Sequence, residues 1–295
     1  MKLNFKKPQL EDKEDLKRVL SFCGGINSAS AFGTLYIWAD AYDLKIHFEN
    51  DILFEKIGEN YAFPKTLADR SKLKQAVELL RRDSKASGSG KFTMIELLEG
   101  EAKALSELFP GKFSFSQTRN TFEYIYSISD LAQLKGKKYH SKRNHISQFE
   151  RSFDWEFVSP LQKSEYLDFF EKWFKIHKDD ETAFNPKEYE ALKKALDNFE
   201  SLELFGCAVK VGEQIVASAI GEAINEETML VHFEKALPDF KGAYAVINRE
   251  FCKQNSARFN LVNREEDMGI PGLRKAKLSY KPKILLSKYT AIWED

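Results

Sequence analysis

The segment Leu134 to Arg151, LKGKKYHSKRNHISQFER, gathers Lys135, Lys137, Lys138, Lys142, Arg143 and Arg151, with His140 and His145, against one acid, Glu150. The chain as a whole balances 45 basic with 45 acidic side chains, so this excess is local, as binding an anionic ligand requires. At about 3.6 residues per turn, Tyr139, Ile146, Phe149 and Phe153 fall on one helical stripe. Lys142 projects near the centre of that stripe, and Arg143 and Asn144 follow it. A cation on the packing side of a helix is costly unless an anion meets it. The alternative is a solvated basic helix whose lysines snorkel.

A second segment, VNREEDMGIPGLRKAKLSYKP at 262–282, sets Asn263, Arg264, Glu265, Glu266 and Asp267 directly after an apolar strand. Carboxylates at a strand end are placed to take a proton from a nucleophile, and Arg274, Lys275 and Lys277 supply cations for developing negative charge. The plainer alternative is an acidic turn salt-bridged to a basic helix. A third segment, HFEKALPDFKGAYAVINREF at 232–251, reads as strand, loop and helix. The backbone N–H groups of Gly242, Ala243 and Tyr244 at such a helix start suit a phosphate or pyrophosphate, with Lys241 adding charge. The loop by which acetyltransferases hold coenzyme A runs Gln or Arg, two residues, Gly, one residue, Gly or Ala. Asp239, Gly242 and Tyr244 stand at those places, so only the middle glycine agrees. SGSGK at 87–91 fails as a phosphate loop, because Lys85 and Phe92 replace the required Gly and Ser or Thr. It reads as a linker. IHKDDE at 176–181 reads as a solvated helix end rather than a metal set.

These residues need elements to hold them. Helices are expected over Glu11–Phe22, Ser71–Arg82, Gly100–Phe109, Leu161–His177 and Gly242–Gln254, with a further one from Asn185-Pro186 to near Phe199. For the fourth, Ser159 is the expected N-cap and Pro160 the first helical residue. A β-rich run is expected over FGTLYIWADAYDLKIHFENDILFEKIGENYAF, turning at Asn50-Asp51 and Gly58. Strands are also expected at Phe92–Leu97, TFEYIYSI, WEFV, ELFGCAVKVG, EQIVASAIGEAI, ETMLVHFEKA and ARFNLVN. A short helix GLRKAKLSY then precedes a closing strand, ILLSKYTAIW. A meander of strands followed by strand–helix–strand is the order of an acetyltransferase-like α+β unit.

The 295 residues suit two domains, and 43% hydrophobic content supports a core. Balanced charge argues against a general nucleic-acid binder. No apolar run long enough for a transmembrane helix and no signal-type N-terminus occur. The three cysteines, Cys23, Cys207 and Cys252, are scattered and read as reduced cytosolic thiols, which makes the expected location cytoplasmic. No metal is expected.

EYIYSISDLAQLKGKKYHSKRNHISQFER, with NREEDMGIPGLRKAKLSYKP far downstream and SAFGTLYIWADAY near the start, resembles the C-terminal domain of phosphatidylglycerol lysyltransferases, in particular its stand-alone bacterial members. The resemblance spans Ala31 to Tyr289. It implies two GNAT-like (acyl-CoA N-acyltransferase) domains in tandem, as in Fem-type aminoacyltransferases. In that resemblance Lys137, Lys138, Lys142, Arg143 and Asn144 match the family's basic block. Asn263, Arg264, Glu265, Glu266, Asp267, Arg274, Lys277 and Tyr280 match its second block, and both blocks are expected to line one cleft. The membrane-bound members move lysine or alanine from aminoacyl-tRNA to a phospholipid hydroxyl.

The reading is therefore an α+β protein with a first GNAT-like domain at 1–134 and a second at 135–295. Its expected function is acyl or aminoacyl transfer to an amine or hydroxyl in an interdomain cleft. The donor is coenzyme A thioester or aminoacyl-tRNA, with no tightly bound cofactor. Glu265, Glu266 or Asp267 would act as base and Lys277 or Arg274 would stabilise the oxyanion. The alternative is a non-catalytic module that binds an anionic metabolite or a phospholipid headgroup through the same cations.

Overall fold

In the first part of the chain, helices form where apolar residues recur every third or fourth position. Leu16, Val19 and Leu20 are buried along α1 (Lys13–Cys23), which stops at Gly24 in the left-handed conformation. A short α2 (Phe32–Ile37) follows. The hairpin of β1 (Leu44–Glu49) and β2 (Ile52–Ile57) turns at Asn50 and Asp51, both with positive φ, as that residue pair favours. Then come β3 (Asn60–Tyr61), β4 (Lys65–Thr66), α3 (Leu73–Ala86), β5 (Thr93–Leu97), α4 (Glu99–Leu108) and β6 (Phe113–Gln117). The C-terminal strand Tyr289–Trp293 inserts between β5 and β6, giving the order β1-β2-β3-β5, C-terminal strand, β6, with β4 on β2. Most pairs are antiparallel, and β3 with β5 is parallel. Leu73, Val77 and Leu80 of α3 pack on Phe54, Tyr61, Phe92 and Met94.

The second sheet starts at β7 (Glu123–Ser127), followed by α5 (Ile128–Gln133), α6 (His140–Ser152), β8 (Trp155–Val158), α7 (Lys163–His177) and α8 (Pro186–Asp197). After these come β9 (Phe205–Val211), β10 (Gln214–Ala223), β11 (Thr228–Ala236), α9 (Ala243–Asn255), β12 (Leu261–Asn263), α10 (Pro271–Ser279) and β13 (Ile284–Leu286). The strand Tyr289–Trp293 is β14. The order is β13-β7-β12-β11-β10-β9-β8. β11 and β12 run parallel, joined by α9. The core joins Ile146 and Phe149 of α6, Val246 and Phe251 of α9, and Tyr124, Val216 and Val262 of the sheet.

This computed structural model describes residues 3–67, 70–88, 90–179 and 185–294. Ser89 of the SGSGK stretch and Asp180 and Glu181 of IHKDDE lie outside the described residues. The architecture is α+β, two mixed sheets flanked by helices. One compact unit comprises Met1–Glu123, Glu266–Gly269 and Leu285–Asp295; the other comprises Tyr124–Glu265 and Ile270–Ile284. The sequence reading put the change at 134/135, where the basic segment begins. The units divide earlier because β7 pairs with β12 and buries Tyr124 and Tyr126 in the second core. No described helix is long and apolar enough to cross a membrane.

Three local expectations are corrected. FGTLYI, β-prone by composition, forms α2, with Phe32, Leu35 and Ile37 buried on it. The closing strand ILLSKYTAIW is two strands in different sheets, parted around Lys288, whose side chain is buried and ion-paired. The helix expected from Leu161 starts at Lys163. Gln162 is its N-cap, with the Gln162 N–H donating to Glu165 Oε2 at 2.9 Å. Ser159 instead donates its hydroxyl to the Gly206 carbonyl at 2.9 Å.

Candidate functional site in the second unit

β11 is buried along most of its length, yet it carries His232 and Glu234 within VHFEK. Its register with β10 slips: Ile220 pairs with Phe233 but Gly221 pairs with Val231, so His232 is the extra residue of a bulge. Bulges re-aim a side chain out of the regular alternation. β12 pairs with β11 only from Thr228–Leu230 against Leu261–Asn263. Beyond Asn263 the chain follows β7 instead: the Arg264 N–H donates to the Tyr124 carbonyl at 3.0 Å, and the Tyr124 N–H to the Glu265 carbonyl at 3.2 Å. The two parallel strands therefore splay, and the Arg264 and Glu265 side chains reach back toward β11.

Arg264 Nη2 donates to Glu234 Oε1 at 2.6 Å, and Asn248 Nδ2 of α9 donates to Glu234 Oε2 at 3.1 Å. The guanidinium lies 5.0 Å from the Tyr280 ring centre, and the Lys142 ammonium lies 3.8 Å from the same centre. Burial pushes the Lys142 pKa down to about 8, the Arg264 charge adds to that, and Glu234 opposes it. Arg264 stays charged: burial works against it, but Glu234 together with Tyr126, Tyr280 and Cys252 outweighs burial. Around this splay, three buried polar atoms make no hydrogen bond: Arg264 Nη1, Asn248 Oδ1 and His232 Nδ1. Buried polar groups are nearly always paired, so three unpaired atoms around one splay mark it as a candidate site.

His232 is completely buried. Its Nε2 lies 2.8 Å from Glu222 Oε1 of β10, and its Nδ1 lies 3.7 Å from Glu265 Oε1. Burial disfavours the imidazolium, but Glu222 and Glu265 outweigh it and raise the pKa to about 9. Glu265 is held in the left-handed region, φ 53°, with its N–H donating to Asn263 Oδ1 at 2.7 Å. Lys277, buried on α10, donates from Nζ to the Arg264 carbonyl at 2.5 Å, and the Tyr126 hydroxyl donates to the Lys277 carbonyl at 2.8 Å. These bonds anchor α10 and hold Tyr280 beneath the two cations.

The structure thus brings Lys142, Asn263, Arg264, Glu265, Lys277 and Tyr280 together within the second unit. Other residues singled out from sequence lie apart from this group or make other contacts. Glu266 and Asp267 belong to the first unit. Asp267 is completely buried, its Oδ2 accepting from Arg119 Nη1 at 3.1 Å and its Oδ1 from the Gly269 N–H at 2.9 Å, so both oxygens are engaged. Arg143 Nη1 donates to the carbonyls of Leu134 (2.6 Å) and Gly136 (2.7 Å), clamping the entry to α6. Lys138 pairs with Asp130 at 2.8 Å. The exposed Asn144 Nδ2 is 3.2 Å from His140 Nε2. Gly242, φ 98°, caps α9 where a Cβ would collide with the His145 carbonyl, so only glycine fits. The Ala243 N–H is spent on the Phe240 carbonyl at 3.0 Å, while Lys241 and Tyr244 are exposed. Arg274 lines a shallow groove of about 430 Å³ with Pro271, Lys275 and Leu278.

Sequence reasoning passed over Glu222, His232, Glu234 and Asn248. The available signal was the spacing of His232 and Glu234 two apart in an otherwise apolar strand.

Comparison with known proteins agrees with this architecture. The family described as phosphatidylglycerol lysyltransferase, C-terminal, matches residues 25–292. A crystal structure of a conserved protein of unknown function from Bacteroides thetaiotaomicron is 37% identical and superposes with a TM-score of 0.91 over 99% of this chain and 100% of that one. The L-PGS structure of Bacillus licheniformis, at 16% identity, shares the fold with a TM-score of 0.64 over 95% of this chain and 91% of that one. An uncharacterized protein of Mycoplasmoides gallisepticum is 23% identical over 175 residues, 56% of this chain and 54% of that protein, so the match spans about half of that relative.

Proposed function

The chain belongs to the phosphatidylglycerol lysyltransferase C-terminal family, and from that premise we propose that it transfers an activated aminoacyl or acyl group to an amine or hydroxyl. The observation that carries this reading is the set of unmet buried polar atoms beside Lys142 and Arg264 at the splay of β11 and β12. The acceptor's nucleophilic atom attacks the donor's carbonyl carbon. The new bond forms, the ester or thioester bond breaks, and the acceptor's proton passes to Glu265 and on to the leaving oxygen or sulfur. Charge developing on the carbonyl oxygen is met by Lys142 and Arg264 Nη1, which burial makes effective. Asn248 Oδ1 accepts from a donor group on the substrate. Aminoacyl-tRNA is favoured over coenzyme A, because the loop before α9 has Asp239 and Tyr244 where coenzyme A loops carry Gln or Arg and a small residue, and the Ala243 N–H is already bonded.

The test is label transfer from aminoacyl-tRNA and from acetyl-coenzyme A to a panel of amines and hydroxyls, beside thermal shifts at two salt concentrations. Stabilisation by aminoacyl-tRNA that fades with salt, with label transferred, is the expected result. Salt-insensitive stabilisation by coenzyme A would reassign the donor. Stabilisation by anions with neither donor consumed would make the protein a binding module.

A further inference from the structure

We propose that Glu222, His232 and Glu265 form a carboxylate–imidazole–carboxylate array in which His232, anchored by Glu222, orients Glu265 for proton transfer. The role given to Glu265 rests on the transferase reading above; the array itself does not. Three independent features of the second unit point to it. The bulge in β11 falls on His232 and turns an imidazole out of the strand's alternation. Its Nε2 is fixed by Glu222 at 2.8 Å, while its Nδ1, completely buried, has no hydrogen-bond partner and lies 3.7 Å from Glu265 Oε1. Glu265 is held with positive φ by the Asn263 side chain, a backbone strain that places its carboxylate on the β11 side.

A shift of under 1 Å by Glu265 would complete the chain of hydrogen bonds, which is the kind of adjustment a bound substrate induces. The titratable groups acting on His232 are Glu222 from β10 and Glu265 from the segment past β12. Glu234, on β11 itself, is tied to Arg264 and Asn248. Of the helices packed on β11, α7 presents Phe170 and Trp173, and α9 presents Asn248. In the step, the acceptor's N–H or O–H proton moves to Glu265 and then to the departing oxygen or sulfur. His232 keeps its proton throughout, so no charge accumulates in the core. Glu222 and His232 are positioning residues.

The experiment is a pH titration of the protein selectively labelled with 15N in the histidine rings. The expected result is that His232 carries a proton on both nitrogens at neutral pH and loses one near pH 9. Glu265→Gln and Glu222→Gln should each lower that midpoint by about one unit or more. A His232 that is neutral at pH 7.5, or a midpoint unmoved by Glu265→Gln, overturns the array. The unsubstituted protein alone suffices for the first criterion, so misfolding of Glu222→Gln cannot shelter the proposal. In the transfer assay, Glu222→Gln should lower kcat with KM unchanged and move the alkaline limb of the pH profile toward neutrality, with Glu222→Asp restoring part of both. An unaltered profile removes the positioning role. If His232 titrates as expected but no donor is consumed, the array stands and the transferase reading falls.

Discussion

Both units take cations out of solvent, Lys65 and Lys288 wholly in the first and Lys142 and Arg264 partly in the second, and the two treat them in opposite ways. In the first, Lys65 is ion-paired with Glu55; burial works against its charge, but Glu55 and Glu101 raise its pKa. Lys288 pairs with Glu96 and with Glu123 at 2.6 Å, and Glu123 also accepts from the Ser28 N–H at 2.9 Å and the Ser28 hydroxyl at 2.6 Å. Those charges are closed by the protein itself. In the second unit, no carboxylate among the described residues stands within ion-pair distance of Lys142, whose pKa falls. Arg264 meets Glu234 with one nitrogen and leaves another unmet. A buried cation with complete partners is structural; a half-buried one that no carboxylate meets carries a desolvation cost that an anionic ligand would offset.

The contrast is most severely tested by Lys288→Met. It leaves the buried Glu123 without its cation and should cost about 3–5 kcal/mol in urea unfolding. A loss near zero would mean that the first unit's pairs are not what holds them buried. Gly242→Ala should cost about 1–3 kcal/mol from the positive φ, plus the collision with the His145 carbonyl, read as a lowered melting temperature. Lys142→Met should do the reverse of Lys288→Met. Stability at neutral pH should hold or rise while anion binding and transfer are lost.

The pH dependence has opposite signs for two groups of the second unit. The Lys142 pKa is depressed in the fold, so its burial cost is full below about 8 and disappears as pH climbs toward its ordinary value. The advantage of Lys142→Met over the unsubstituted protein should therefore shrink from pH 7 to pH 10. The His232 pKa is raised, so its contribution is full below its unfolded value and is lost as pH rises through about 9. Anion affinity should weaken above pH 8 and, in Lys142→Arg, stay level. The smallest effect belongs to Lys138→Ala, an exposed pair with Asp130, which should leave the melting temperature unchanged.

Much of this contrast was legible in the residues. The stripe through Ile146 and Phe149 located Lys142 on the packing side of its helix, and the polar run after Val262 located Arg264 and Glu265. Local rules placed most helices to within a few residues. What escaped was long-range. Asp267 reads as a free carboxylate until Arg119 is folded against it. His232 reads as one polar residue in a strand until the slipped register and Glu222, across a hairpin, give it a purpose. The composition of FGTLYI favours a strand, yet burial of one face made it helical. ILLSKYTAIW reads as one strand because periodicity cannot show that its two halves join different sheets.

The placement of β14 between β5 and β6 has a consequence for how the molecule is made. A ribosome delivers the first six strands of this sheet before the second unit and the seventh after it. Between them it must synthesise the whole second unit, which at roughly 5–20 residues per second takes on the order of ten seconds or more. Throughout that interval β5 and β6 wait with bare edges, the condition in which strands recruit wrong neighbours. The first sheet therefore cannot close until the second unit has been made.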